Sequence, residues 1–166
     1  MEEKLVDNRW QRTIAYRNHN PLNIRYNAST AWIGARGENK GFVVFGAFSF
    51  GFRAAVMILR SYAKRGKKTV PQIIETWAPR SENNTVAYIK TVLDNLSERQ
   101  SEPFTVDDNT EIDLKNRELV VQLLLSMARV EMGANPAQLH KLRPYAELGY
   151  DLAVTTPNFW YENRKP

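Results

Sequence analysis

Between about Leu114 and Met132 the chain spells a long amphipathic helix, and a carboxylate lies on its apolar face. Leu119, Val120, Leu123, Leu124, Met127 and Ala128 recur at helical spacing, and Gly133 and Pro136 supply a stop. Such a stripe is stable only when other elements cover it, so the rest of the chain must build a core around this segment. Glu131 follows Ala128, Met127 and Leu124 by three, four and seven positions, which puts it on the same face. It also falls in the last turn, where the negative end of the helix dipole opposes an ionised carboxylate. Desolvation and the dipole both push its pKa upward. A carboxyl kept protonated near neutral pH is what a general acid for glycosidic cleavage requires. The plainer alternative is a Glu at a fraying helix end that turns to solvent or pairs with Arg129 or a distant Arg.

The partners for that helix are legible elsewhere. Residues 3–17 read as irregular helix. NIRY (23–26), AWIG (31–34) and GFVVF (41–45) are β-friendly runs separated by NAST and ARGENK, the pattern of a small antiparallel sheet. Phe52, Ala55, Val56, Leu59, Tyr62 and Ala63 form a helical stripe stopped by Gly66. Thr69 and Gln72 make a capping box with Pro71 in the first turn, and that helix must end near Ala78–Pro79. A further helix over about 84–96 is expected to bury Val86, Ile89, Leu93 and Tyr88. Residues 97–113 read as a polar loop, and the tail from Pro144 carries weak signals. The expectation is one α+β domain over residues 1–166, mostly helical, with a small antiparallel β-element near the N-terminus. Residues 154–166 read as a C-terminal tail.

Composition removes several chemistries. There is no cysteine, so disulfides, Cys–Zn sites and thiol catalysis are excluded. His19 and His140 are the only histidines and stand in no metal-binding spacing, so no metal and no cofactor is expected. The longest apolar run, FVVFGAFSFGF, is too short to span a bilayer. The opening MEEKLVDNRW is no signal peptide, so any export would come from a removed leader, a fusion partner or a carrier particle. Residues 1–68 carry 13 Lys/Arg against 4 Asp/Glu, whereas residues 69–166 carry 10 against 14. The basic half reads equally as a solvated surface or as a face for a polyanion. No nucleic-acid motif accompanies it, so no specific nucleic acid is expected, and a monomer is.

ARVEMGANP at 128–136 resembles the segment of lysozyme-like lytic transglycosylases in which a helix carries the catalytic Glu. Glu131, Gly133, Asn135 and Pro136 match that pattern, and Met132 replaces its usual Ser or Thr. RNHNPLNIRY (17–26), AWIG (31–34), FVVFGAFSFGFRA (42–54) and WAPRSENNTVAYI (77–89) resemble a family of phage virion-associated and related bacterial peptidoglycan hydrolases. In that family an Asn-rich box opens the domain, and a Glu-x-Gly helix is followed by a Pro-Tyr pair, here Pro144-Tyr145. The resemblance runs over residues 17–153. The order departs from ordinary lysozyme-like enzymes, in which the Glu comes first. Circular permutation would preserve the site. The rival, a catalytic Glu2 or Glu3, puts the acid in a charged segment unable to desolvate it.

The resemblance implies a lysozyme-like fold and cleavage of peptidoglycan glycan strands with Glu131 as general acid and base. Action in the cell envelope or from a phage particle would follow. Glu82 is a second carboxylate or a hydrogen-bond organiser, and the plainer alternative is helix capping, with Ser81, Asn83 or Asn84 as N-cap and Glu82 near the positive end of the helix. Asn18, Asn20, Asn23, Tyr26, Asn83, Tyr88 and Tyr145 are candidate substrate contacts. For the Asn box, turn chemistry is an equal alternative, and Trp32 and Trp77 read as packing. Two other functions stay open: an endopeptidase on the same fold, and a non-catalytic wall-binding or virion module, which Met132 favours.

Overall fold

The computed structural model describes residues 9–99 and 105–156. A 3-10 turn at Arg9–Arg12 leads into the short helix α1 (Ile14–Arg17), capped by Thr13 Oγ1. Strands β1 (Ala35–Asn39) and β2 (Phe42–Phe45) follow as an antiparallel hairpin. Helices α2 (Phe48–Lys64), α3 (Val70–Trp77), α4 (Thr85–Arg99), α5 (Arg117–Met132) and α6 (Pro136–Thr155) complete the described residues. The fold is α+β and mostly helical, with its small antiparallel sheet toward the N-terminus. The rival acids Glu2 and Glu3, and the tail beyond Thr156, lie outside the described residues.

Helix α5 is the axis of the core. Every residue from Leu119 to Ala128 is buried, so the helix is enclosed on all sides rather than on one stripe. It packs against α1, α4 and α6, while α2 lies along α6 and α3 against α4. Covering each large side chain of α5 contributes about 1.5–3 kcal/mol, which no stripe of an exposed helix could match. Asn116 Oδ1 accepts from the Leu119 N–H at the start, and Gly133, with φ 67°, ends the helix in the left-handed region.

Four expectations change. AWIG forms a turn, NIRY contributes one bridge (Arg25 to Phe42), and the first strand lies in ARGEN. That strand is exposed at four of its five positions, so it has no apolar alternation to read. Lys40 and Gly41 (φ 55° and 89°) close the hairpin. Helix α2 starts at Phe48, so the apolar run splits into a strand and a helix. On α4 the buried apolar positions are Tyr88, Val92 and Leu96, and Val86 is exposed. The weakly signalled tail holds the longest helix among the described residues, α6. Asn135 and Gln138 form its capping box with Pro136 in the first turn, and Pro144 sits inside it on the exposed side. Asn135-Pro136 thus begins one helix two residues after Gly133 has ended another.

Two arginines of the basic half serve this packing. Arg53, buried on α2, donates to Thr156 Oγ1 and to the Thr156 carbonyl, and Arg60 donates to the Ala153 carbonyl. Both sit at the negative end of α6, which accounts for part of the charge asymmetry without a polyanion. The helices approach closely at Gly149. A Cβ there would lie 2.6 Å from Phe52 Cβ and 2.8 Å from both Arg53 N and Ser49 O. Two of those atoms are backbone and cannot step aside. Gly149→Ala is therefore expected to lower the urea midpoint, corresponding to about 1–3 kcal/mol of overpacking strain. An unchanged midpoint would contradict the close approach.

Candidate functional site

The site is assembled where the end of α5 meets the Asn box and the start of α4. The box works first as turn chemistry. The Asn20 carbonyl accepts from the Asn23 N–H, with Pro21 setting φ between them. The fully buried Asn20 amide donates to the Ile24 and Val43 carbonyls, and its Oδ1 accepts from the Ile24 N–H. Asn18 is also buried, and its Oδ1 accepts from Asn39. Asn18 and Asn20, expected as substrate contacts, therefore face inward and have no route to a ligand. They hold the box against the hairpin.

What this scaffold presents is Asn23. Its φ of 52° is left-handed, a conformation that Asn tolerates better than most residues, and it turns the side chain toward α5. Asn23 Nδ2 donates to Glu131 Oε1 at 3.2 Å and approaches the Glu131 carbonyl at 3.5 Å. From α4, the buried Tyr88 hydroxyl donates to Glu131 Oε2 at 3.0 Å and lies 3.5 Å from the Met127 carbonyl. Glu131, Asn23 and Tyr88, far apart in the chain, thus form one hydrogen-bonded cluster.

Burial pushes the Glu131 carboxyl above the ordinary glutamate range, against the hydrogen bonds from Asn23 and Tyr88 and the positive charge of Arg25. Tyr88 is pushed well above its ordinary value by burial and by the Glu131 carboxylate, so it remains a neutral donor. The Glu131 side chain opens onto a cavity of about 520 Å³ lined by Asn23, Arg25, Trp32, Phe42, Trp77 and Glu82, among others. A second hollow of about 290 Å³, lined by Asn84, Tyr88 and Thr91, shares Asn83 and Glu131 with the first. Glu131 therefore stands between two depressions, with room for a chain-like ligand on either side.

The remaining candidates divide. Glu82 is exposed on the rim of the larger cavity, and Asn83 lies at the junction, donating to the Pro79 carbonyl. Of the three cap candidates for α4 it is Asn84 that serves, its Oδ1 accepting from the Ala87 N–H. Tyr26 is exposed and does not line either hollow. Tyr145 stacks near Phe48 on another face, with Arg143 beside it paired to Glu118 and Glu147. The Pro-Tyr pair is thus part of α6 and not of the cleft. Trp77 packs against Tyr62 and also lines the cavity, its indole N–H donating to the Leu22 carbonyl at 3.3 Å. Sequence reasoning missed Arg25 and Phe42 as cleft residues. The signal was their alternation with the inward Ile24 and Val43, readable only once the strands are paired. Among the described residues no group of His, Cys, Asp and Glu could hold a metal ion, and no helix is long and apolar enough to cross a membrane.

No family model matches the chain. Protein P5 of Pseudoalteromonas phage PM2 is 30% identical over 139 residues, spanning 81% of this chain and 80% of that protein. The chain belongs to the family of that phage protein. Membership of the Protein P5 family places the cleft in a chain related to a phage protein.

Two outcomes test the site's construction. Because the Glu131 pKa is raised in the folded state, its favourable contribution is complete below the ordinary Glu value and fades as pH climbs through the folded one. Glu131→Gln should therefore gain in melting temperature relative to wild type as pH rises from about 4 toward 8, starting near the ordinary Glu value of about 4.3. A difference that stays flat with pH would mean that the carboxyl is solvated. Asn20→Ala should lower stability by about 1–3 kcal/mol in chemical unfolding, since it strands buried backbone groups of Ile24 and Val43.

Proposed function

We propose that the protein cleaves the glycan strand of peptidoglycan, on a lysozyme-like domain, with Glu131 as general acid. The observation that carries this reading is the Glu131 carboxyl, desolvated between two hollows and fixed by Asn23 and Tyr88. In the protonated form it gives its proton to the glycosidic oxygen as the bond to the anomeric carbon breaks. The resulting carboxylate then takes a proton from the muramyl 6-hydroxyl as that oxygen closes on the anomeric carbon, leaving an anhydro end. If Glu82 on the rim activates water instead, the product is a reducing end.

Both partners of Glu131 can serve either protonation state. Tyr88 donates to the carboxylate, and it can turn its hydroxyl toward the Met127 carbonyl and accept from the protonated carboxyl. Asn23 Oδ1 is buried without a hydrogen-bond partner, so turning the amide over offers an acceptor to the acid proton. Met132, the residue that favoured a non-catalytic module, is 1% exposed, belongs to the core and lines neither hollow. The departure from the transglycosylase pattern therefore alters the core and leaves the cleft wall intact. Kinship with a phage protein supports action from a phage particle, which would carry the enzyme to the wall.

Purified sacculi incubated with wild type should release glycan fragments identifiable by mass spectrometry, as anhydro or reducing ends. Glu131→Gln should lose at least about a hundred-fold in rate. Free amines as the only new termini would instead indicate peptide cleavage, and binding without products would indicate a wall-binding module. Tyr88→Phe removes a hydrogen bond that favours the ionised carboxyl. It should move the alkaline limb of the pH–rate profile upward, whereas a purely structural role would lower the rate without moving the limb.

A further inference from the structure

The larger hollow contains a cation that the mechanism does not use. Residues 24–26 run alongside β2: Val43 N–H donates to the Ile24 carbonyl, and Tyr26 N–H donates to the Gly41 carbonyl. With Ile24 buried inward, the alternation turns Arg25 to the other side, where it lines the cavity. Its guanidinium lies 5.3 Å from the centre of the Phe42 ring, a cation–π contact that holds it beside the cavity it lines. Unlike Arg80, Arg117 and Arg143, which pair with acids, Arg25 has no acidic partner among the described residues. Its charge is nonetheless felt at Glu131. A guanidinium in the cleft with no acidic partner, beside the Glu131 carboxyl, suits an anionic ligand, since its planar fork matches a carboxylate through two parallel hydrogen bonds.

Building on the reading of the cleft as a glycan site, we infer that Arg25 is its specificity-determining residue and binds a carboxylate carried by the wall polymer next to the bond at Glu131. A neutral polysaccharide of the same shape would leave this cation unmatched and would bind less well. The carboxylate belongs to the stem peptide or, on muramyl sugars that carry no peptide, to the lactyl ether, whose carboxyl is otherwise tied up in the amide bond to the peptide.

The test measures binding, with Glu131→Gln as the background so that nothing is consumed. Soluble glycan fragments from sacculi are titrated into this protein and into the Arg25→Gln and Arg25→Lys versions of it, by calorimetry. The same fragments are also titrated after their carboxylates have been converted to amides. Arg25→Gln should weaken binding of the native fragments about ten-fold and leave binding of the amidated ones unchanged. Arg25→Lys, which keeps the charge but loses the fork, should fall between. Removing the stem peptides with an amidase frees the lactyl carboxylate in their place: an Arg25 effect that survives shows that Arg25 accepts the lactyl group of peptide-free sugars, and one that is lost assigns the contact to the stem peptide. Equal affinity for native fragments with and without Arg25, or equal losses for native and amidated ones, would overturn the inference while leaving the cleft's assignment intact. No binding of any fragment by any version would remove the glycan reading itself. Arg25 is exposed, so the substituted chains are expected to fold, and a far-ultraviolet dichroism spectrum matching wild type checks it.

Discussion

The withdrawal of the Glu131 carboxyl from water depends on where α5 ends. The helix is sealed on every side through Ala128, and Glu131 is in the last turn before Gly133 reverses the chain. One turn earlier the carboxyl would be inside the core, unreachable and costly to ionise. Beyond Gly133 it would be solvated and ordinary. At Glu131 the side chain is mostly covered yet opens onto the cleft, so burial raises its proton affinity while the site stays accessible. The rest of the architecture maintains this placement: α4 brings Tyr88, the Asn box brings Asn23, and α6 closes the far side of the helix.

The Asn box shows how a structural motif shapes the cleft. Asn18 and Asn20 are buried and bond to backbone and side-chain groups around the hairpin, and they fix the turn that holds Asn23 in its left-handed conformation. The same pairing with β2 sends Arg25 to the cleft over Phe42. One short segment thus supplies a hydrogen-bond donor to the Glu131 carboxyl and a cation beside it. Three buried hydrogen bonds from Asn20 hold both in register.

Much of this was legible in the chain, and the failures have physical causes. The α3 capping box, the Gly133 stop and the apolar positions of α5 stand as read, because each depends on local chemistry within one or two helical turns. The first strand was hidden because ARGEN is exposed and carries no period, and its pairing is supplied by β2. Helix α6 was hidden because its apolar pattern is mixed and Pro144 interrupts it, which leaves only weak signals along the chain. Its capping box, the Gly149 contact with α2 and the arginines at its C-terminus hold it in spite of them. Tyr145 and Tyr26 were misplaced because motif proximity along the chain says nothing about which face of an element a residue occupies.

The sequence by itself determined the helical, cysteine-free α+β domain and singled out Glu131, since an acid on an apolar face conflicts with its surroundings in any fold that uses that face. Tertiary structure alone decided which Asn residues are structural and which one touches the acid. It likewise decided that Met132 turns inward, that Arg53 and Arg60 serve a helix end, and that Arg25 is left unpaired in the cleft. The physical reason is range. Caps, stops and periodicity act over a few residues, whereas burial of a carboxyl and pairing of a cation depend on groups brought together from distant parts of the chain.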